Sequence, residues 1–149
     1  MKLDIGGEEK FDASIETFWA ALNDPAVLCK CIPGCKEMTP TGDDQFKLLL
    51  ELKVASVGGS FEGAIALTDK QPPTQCRLTV SGEGSLGHGN GAATFSLLAD
   101  GAQTVMRYAG EGEIGGLVAG VGQRILKGVA KHLIAQFFKG LRAALGKAA

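Results

Sequence analysis

The residues that could most readily do chemistry are three cysteines, Cys29, Cys31 and Cys35, in the stretch CKCIPGCKE. Their spacing is C-x-C-x3-C, whereas structural zinc sites usually bring two ligand pairs, commonly C-x2-C. No histidine lies nearby, and a C-x-x-C redox pair is absent. The Pro-Gly pair between the last two cysteines favours a sharp turn. We therefore predict a turn with incidental thiols and no metal; a site completed by Cys76 is the alternative.

Acid–base or nucleophilic catalysis needs a histidine or carboxylate that can reach a reacting group. His88 lies in GHGNG, which is typical of an exposed glycine-rich turn. His132 follows Lys131 in a basic segment. Glu83 and Glu111 are the only carboxylates that could point inward, and surface positions are favoured for both. We predict that the protein has no catalytic residues and is not an enzyme.

Composition predicts a single domain over residues 1–149, and we expect no nucleic-acid partner. The N-terminus has charges where a signal peptide has its apolar segment, and no apolar run is long enough to span a membrane. We expect a soluble, cytoplasmic protein with reduced thiols. Residues 1–113 hold 9 basic and 16 acidic residues, a net charge of −7, whereas residues 114–149 hold 6 basic and no acidic ones. This segregation indicates an anionic partner, either a membrane or an acidic patch on a protein; the alternative is a solvated basic face that pairs with the acidic residues of the same chain.

The order of the elements follows from periodicity. KLDIGGEEKFD predicts a strand, and two short helices follow, the second capped by Asp24 and ended by the Pro-Gly pair. From Cys35 to about Ile114, alternating apolar residues separated by turn signals predict an antiparallel meander.

Residues 115–149 predict one long amphipathic helix, which would include Gly120 and Gly122. Its apolar face would hold Leu126, Val129, Leu133, Phe137, Leu141 and Ala144. A basic face would lie opposite, with Phe138 and Leu145 at its flanks. The predicted docking residues are Arg124, Lys127, Lys131, Phe138, Lys139 and Arg142.

This order resembles the helix-grip, START-like fold: an α+β fold in which a curved antiparallel sheet, here of about seven strands, wraps a long C-terminal helix, with two short helices after strand 1. The stretches DPAVLCKCIPGC, GSFEGAI and GEGEIGGLVAGVGQRILKGVAKHLIAQFF are similar to the CoxG family of carbon monoxide dehydrogenase subunits. The resemblance implies a molybdenum hydroxylase, such as carbon monoxide dehydrogenase, as partner. The chain has neither the cysteine run of a ferredoxin nor a dinucleotide fingerprint, so we expect no tightly bound cofactor.

The resemblance also implies an apolar cavity between sheet and helix, although an ordinary filled core would give the same pattern. Tyr108, as a polar-tipped aromatic, could orient a ligand carbonyl or hydroxyl. The predicted ligand-binding residues are Trp19, Leu28, Phe46, Leu48, Leu50, Phe61, Ile65, Leu78, Phe95, Leu97, Tyr108, Val118, Gly122, Leu126, Val129 and Leu133.

Two functions are compatible with this sequence. In the first, the protein carries a hydrophobic small molecule, a quinone or a lipid, and links the hydroxylase to the anionic inner face of the cell membrane. In the second, it is an assembly or membrane-recruitment factor for the hydroxylase and has no ligand of its own.

Overall fold

The computed structural model describes residues 2–54, 57–85 and 87–148. The strands are β1 (Lys2–Phe11), β2 (Cys35–Gly42), β3 (Gln45–Val54), β4 (Val57–Gln71), β5 (Gln75–Gly84), β6 (Gly87–Asp100) and β7 (Gln103–Gly115). The helices are α1 (Ile15–Leu22), α2 (Pro25–Cys31) and α3 (Gln123–Ala148), with a 3₁₀ turn at Leu117–Val121 before α3. The strands form one antiparallel sheet in the order β1-β7-β6-β5-β4-β3-β2. The predicted fold class is therefore confirmed.

Local sequence signals explain both short helices. The Ser14 hydroxyl accepts a hydrogen bond from the Thr17 amide at 3.2 Å and caps α1. The Asp24 carboxylate accepts one from the Ala26 amide at 3.0 Å and caps α2, whose first residue is a proline. After α2 the chain reverses at Gly34, whose φ of 76° suits glycine. The predicted Asp24 cap and the predicted turn are confirmed, and Ser14 is a cap that was not predicted.

Two predictions for glycine-rich stretches were wrong. Residues 87–91, expected to be a turn, are the first residues of β6. The terminal helix begins at Gln123, so Gly120 lies in the 3₁₀ turn and Gly122 follows it with φ 104°. Glycine has a low helix propensity, and the positive φ of Gly122 is incompatible with a helix at that point.

Two apolar clusters stand out among the buried residues that the structure describes. The larger one joins α1, α2 and the C-terminal half of α3 to the sheet, and it includes Phe11, Phe18, Leu97 and Leu141, each at most 1% exposed. The smaller one joins Leu3 of β1 to Leu126 of α3 at the other end of the helix. α3 is therefore fixed to the sheet near both of its ends.

Thr104 carries a polar side chain that is completely buried. Its hydroxyl donates a hydrogen bond of 2.8 Å to the Ala13 carbonyl and so ties β7 to the chain before α1. Thr104→Val removes the donor and leaves that acceptor without its partner, so we expect a loss of about 1–3 kcal/mol in the free energy of unfolding. Urea denaturation measures it, with Thr39→Val on exposed β2 as the control. Equal stability of the two variants would contradict the assigned hydrogen bond.

Candidate ligand-binding cavity and docking face

The inner face of the sheet is defined by its buried side chains and its register. Directly opposed residues of antiparallel strands point to the same face. Phe46 lies opposite Ile65, and both are buried, as is Leu97 opposite Met106. Most of the apolar residues predicted to face the helix lie on this side.

Glycines occupy the middle of this inner face. One row across the sheet runs Leu48, Gly63, Gly82, Gly89 and Ile114. The neighbouring row runs Ile65, Val80, Gly91 and Gly112 to Leu3. Within 4 Å, a Cβ placed on Gly82 would meet only the Glu62 carbonyl oxygen, at 3.5 Å. The few atoms close to a Cβ on Gly63 or Gly89 also belong to neighbouring strands, so no described α3 atom lies within 4 Å of a Cβ at any of the three glycines.

The side chains around these glycines are only partly covered. Val80 points inward, yet it is 38% exposed. Leu78 and Phe95 on the sheet are half-buried, as are Val129 and Leu133 on α3. A filled core would bury such residues almost completely. The two glycine rows end at Leu3 and Ile114, which belong to the smaller cluster, and the glycines along these rows cover no part of the inner face with a side chain.

A cleft of about 450 Å³ lies where α3 meets β1 and β7. Ile5, Tyr108, Ile134 and Phe138 form its apolar part. Its polar lining consists of Asp4, Glu9, Lys127 and Lys131. A second cleft, of about 640 Å³, lies at the β3–β4–β5 end of the sheet and includes Leu50 and Phe61 beside Lys36, Glu51, Glu62 and Glu83.

Tyr108 points into the smaller cleft. Its ring centre lies 5.3 Å from that of Phe138. Burial, and secondarily the negative charge of Glu9, raise the pKa of the Tyr108 hydroxyl, so it keeps its proton at neutral pH. No hydrogen bond joins this hydroxyl to another residue in the described ranges. A Cβ on Gly7 would lie 2.9 Å from the hydroxyl oxygen, so glycine is needed there to leave room for it.

The structure places the predicted ligand-binding residues in several different environments. Leu78, Phe95, Tyr108, Val129 and Leu133 are half-buried. Of these, Phe95 and Tyr108 pack on the larger cluster and Val129 packs on the smaller one. Leu50 and Phe61 line the larger cleft. Fully buried core positions are occupied by Leu28, Phe46, Leu48, Ile65, Leu97 and Leu126, while half-buried Trp19 packs on the larger cluster. Gly122 precedes α3 instead of lying on its inward side, and the Val118 side chain lies outside what the structure describes.

Four of the predicted docking residues, Arg124, Lys127, Lys131 and Lys139, are exposed. No described acidic group lies within 4 Å of their charged atoms. Arg142, in contrast, donates a 2.6 Å hydrogen bond to Glu9 and lies 4.8 Å over the Phe11 ring. This residue therefore ties α3 to β1, although its side chain remains exposed.

The placement of Phe138 on the docking face was wrong. Phe138 is 5% exposed and Leu145 is 3% exposed, because the C-terminal half of α3 packs on α2 and β1 on the side where these two residues lie. The exposed apolar residues near the basic face are instead Leu117, 77% exposed, and Ile125, 49% exposed. Both lie where the 3₁₀ turn leads into α3.

Sequence reasoning missed Glu9, which points inward opposite Met106 and is half-buried beside Tyr108. Glu9 lies two residues before Phe11 on the same strand, and residues with this spacing point to the same face of a sheet. This spacing was the available signal. Glu83 and Glu111 are exposed, in agreement with the surface positions favoured for them. His88 and His132 are exposed too, although His88 lies on a strand and not in a turn.

Among the described side chains, no group of three or more His, Cys, Asp or Glu residues is arranged to hold a metal ion. Within the same residues, no helix combines the length and the apolar character needed to cross a bilayer.

The comparisons with known proteins agree with this architecture. The family model of CoxG, a subunit of carbon monoxide dehydrogenase, matches residues 7–146. A conserved protein from Geobacillus kaustophilus is 37% identical with a TM-score of 0.95, over 98% of this chain and 97% of that chain. A START superfamily protein from Mycobacterium smegmatis is 16% identical with a TM-score of 0.77, over 98% of this chain and 99% of that one.

An enzyme shares the fold at lower similarity. Truncated norcoclaurine synthase from Thalictrum flavum is 12% identical with a TM-score of 0.65, over 95% of this chain and 92% of that chain. At this identity the likeness shows the START-like fold alone. No curated protein gives a significant sequence match.

Proposed function

Because the chain belongs to the CoxG family of carbon monoxide dehydrogenase subunits, we propose that it is a non-catalytic accessory protein of a molybdenum hydroxylase. In this proposal it binds a hydrophobic ligand between its sheet and α3. It then presents that ligand, a quinone or a lipid, between the enzyme and the inner face of the cell membrane. The family and the START-like fold both suggest an accessory or ligand-binding role.

The observation that carries the proposal is the glycine-lined inner face. Val80 is 38% exposed although it points inward, and Gly82 has no side-chain atom within 4 Å of where its Cβ would lie. A surface of this kind gains free energy by excluding water from its apolar area, at about 25 cal/mol per Å². A flat or elongated apolar molecule fits such a space better than a charged one does.

Tyr108 supports an oxygen-bearing ligand. Its hydroxyl is protonated at neutral pH and is half-buried in the smaller cleft. It can donate a hydrogen bond to a ligand carbonyl, while the ring of Phe138 lies close enough to pack on a planar ligand. In the proposal, Lys127 and Lys131 lie at the polar edge of this cleft, where a ligand could pass to or from an anionic surface.

Organic extraction of the purified protein, followed by mass spectrometry, tests the ligand directly. We expect an isoprenoid quinone or lipid in a stoichiometric amount, and we expect the emptied protein to take up a short-chain naphthoquinone. An empty protein that neither retains nor takes up the quinone or a phospholipid, but still co-purifies with the hydroxylase, would support the recruitment factor without a ligand.

The basic face of α3 is the proposed docking element. Arg124, Lys127, Lys131 and Lys139 are exposed, and in the described part of the chain they have no acidic partner within 4 Å. Leu117 and Ile125 would supply the apolar contact that sequence reasoning assigned to Phe138. A helix of this type lies on an anionic bilayer with its charges at the phosphates. An acidic patch on the hydroxylase is the competing target.

A further inference from the structure

Two of the four cysteines form a contact that the proposed function does not use. Cys29 lies in α2, Cys35 is the first residue of β2, and the turn at Gly34 brings their sulfur atoms to 2.9 Å. A disulfide bond is about 2.05 Å long, so the two sulfurs need to approach by only about 1 Å more. Both side chains are half-buried and within reach of a small solute.

The other two thiols are placed differently. Cys31 is 3% exposed and faces α3, where a Cβ on Gly140 would lie 3.1 Å from its Cα. Cys76 is 1% exposed. Burial raises the pKa of both thiols, which keeps them protonated and poorly nucleophilic. Only the Cys29–Cys35 pair therefore combines access with a sulfur partner.

The environment of the two thiols also determines which of them reacts first. Burial raises the pKa of Cys35 to about 12, with further contributions from the hydrogen bond and the charge of Cys29. Cys35 therefore keeps its proton at neutral pH and is a poor nucleophile, which leaves Cys29 as the sulfur that reacts first. Because Cys29 contributes to the raised pKa of Cys35, oxidation of Cys29 makes the Cys35 proton easier to lose.

We propose that Cys29 and Cys35 form a reversible redox pair that a peroxide oxidises to a disulfide. The Cys29 thiolate attacks one peroxide oxygen, the O–O bond breaks, and the released hydroxide takes up a proton to form water. The resulting sulfenic acid is attacked by the Cys35 sulfur, its S–O bond breaks, and a second water leaves with the Cys35 proton. The two thiols lose two electrons, and the peroxide gains them.

The bond would link the C-terminal end of α2 directly to the first residue of β2. Because the opposite side of α2 packs on α3 through Cys31 and Gly140, the oxidised state would hold this helix from both sides. Reduction by a small dithiol would release the link. This pair makes the corner between α2 and β2 sensitive to oxidant, independently of any ligand.

The wild-type protein supports a direct test. Reduced protein is treated with hydrogen peroxide under native conditions, unfolded, alkylated and digested with trypsin. Cleavage after Lys30 separates Cys29 from the peptide 31–36, so a link appears as two joined peptides. We expect two of the four cysteines to be protected from alkylation, this peptide pair to be joined, and dithiothreitol to restore all four thiols.

Matched variants identify the partner of Cys29. Cys31→Ala should retain the joined peptides, whereas Cys35→Ser should lose them and accumulate a Cys29 sulfenic acid that dimedone traps. Four alkylatable thiols after peroxide, a link that disappears in Cys31→Ala, or Cys29 sulfinic acid without a link in the wild type would each overturn the proposal.

Discussion

Gly82→Leu is expected to weaken binding of a short-chain naphthoquinone at least tenfold, which corresponds to about 1.4 kcal/mol, while leaving the fold as stable as before or more so. A Cβ at this position meets only the Glu62 carbonyl oxygen at 3.5 Å, so the backbone accepts the side chain. Leucine also favours a strand over glycine by roughly 0.5–1 kcal/mol. The side chain would then occupy the space that the ligand needs. Equilibrium dialysis gives the affinity, and thermal unfolding gives the stability.

Ser81→Leu is the matched control, since it places the same side chain on the exposed outer face of the same strand. It should leave the affinity unchanged. Val80→Phe, one further residue along, adds volume to the inner face and should weaken binding as Gly82→Leu does. If the interface were a filled core, both inward changes would instead cost about 1–3 kcal/mol of stability through overpacking. Full affinity in a folded Gly82→Leu protein would place the ligand elsewhere.

The strands, caps and helix order could be predicted because they depend on local signals. Ser14, Asp24 and the Pro-Gly pair act within a few residues of the elements they begin or end. The alternation of apolar residues along β3 and β4 is also a local signal, and it correctly predicted that Phe46 and Ile65 lie on the same inner face. Such signals survive in a single sequence because they require no knowledge of what packs across the sheet.

The cavity and the docking face depend on tertiary geometry, and there the predictions were less accurate. Glycine occurs in turns, and it also occurs in strands where a side chain would occupy needed space. Gly89 and Gly91 were therefore assigned to a turn, although they lie in β6. Helical periodicity gives an apolar stripe without fixing which part of it faces the neighbouring elements. The C-terminal half of α3 is rotated so that Phe138 and Leu145 are buried, and no local rule indicates that rotation. The contact between Cys29 and Cys35 likewise depends on how the turn closes.

The ion pair between Arg142 and Glu9 changes what the basic face can do. The Arg142 guanidinium is held by Glu9 and lies over Phe11, so it stabilises the packing of α3 on β1. The acidic body of the protein thus neutralises one of the five predicted basic groups. The four that remain are exposed, and each contributes about 1 kcal/mol near an anionic leaflet. In the proposed function this total gives reversible attachment, which would let the protein also bind the hydroxylase.

Reversing the charges of Lys127, Lys131 and Lys139 to Glu is therefore expected to abolish sedimentation with anionic vesicles. Three attractive charges become repulsive, so the partition coefficient should fall by at least 100-fold, or about 2.8 kcal/mol. Wild-type protein should bind vesicles of phosphatidylglycerol and phosphatidylcholine at low salt. It should bind little to pure phosphatidylcholine, and it should dissociate as salt shortens the screening length below about 10 Å.

The matched control reverses Lys36, Lys47 and Arg77, which are exposed on β2, β3 and β5, away from α3. It changes the net charge by the same amount. A loss of vesicle binding in both triple variants would therefore be due to the overall charge and not to the basic face of α3. Leu117→Ser with Ile125→Ser should weaken binding without changing its salt dependence, because these residues would contribute apolar contact and not charge. Absence of vesicle binding by the wild type at low salt would eliminate the membrane as the target. The face would then be assigned to the hydroxylase, and the same triple variant should lose co-purification with that enzyme.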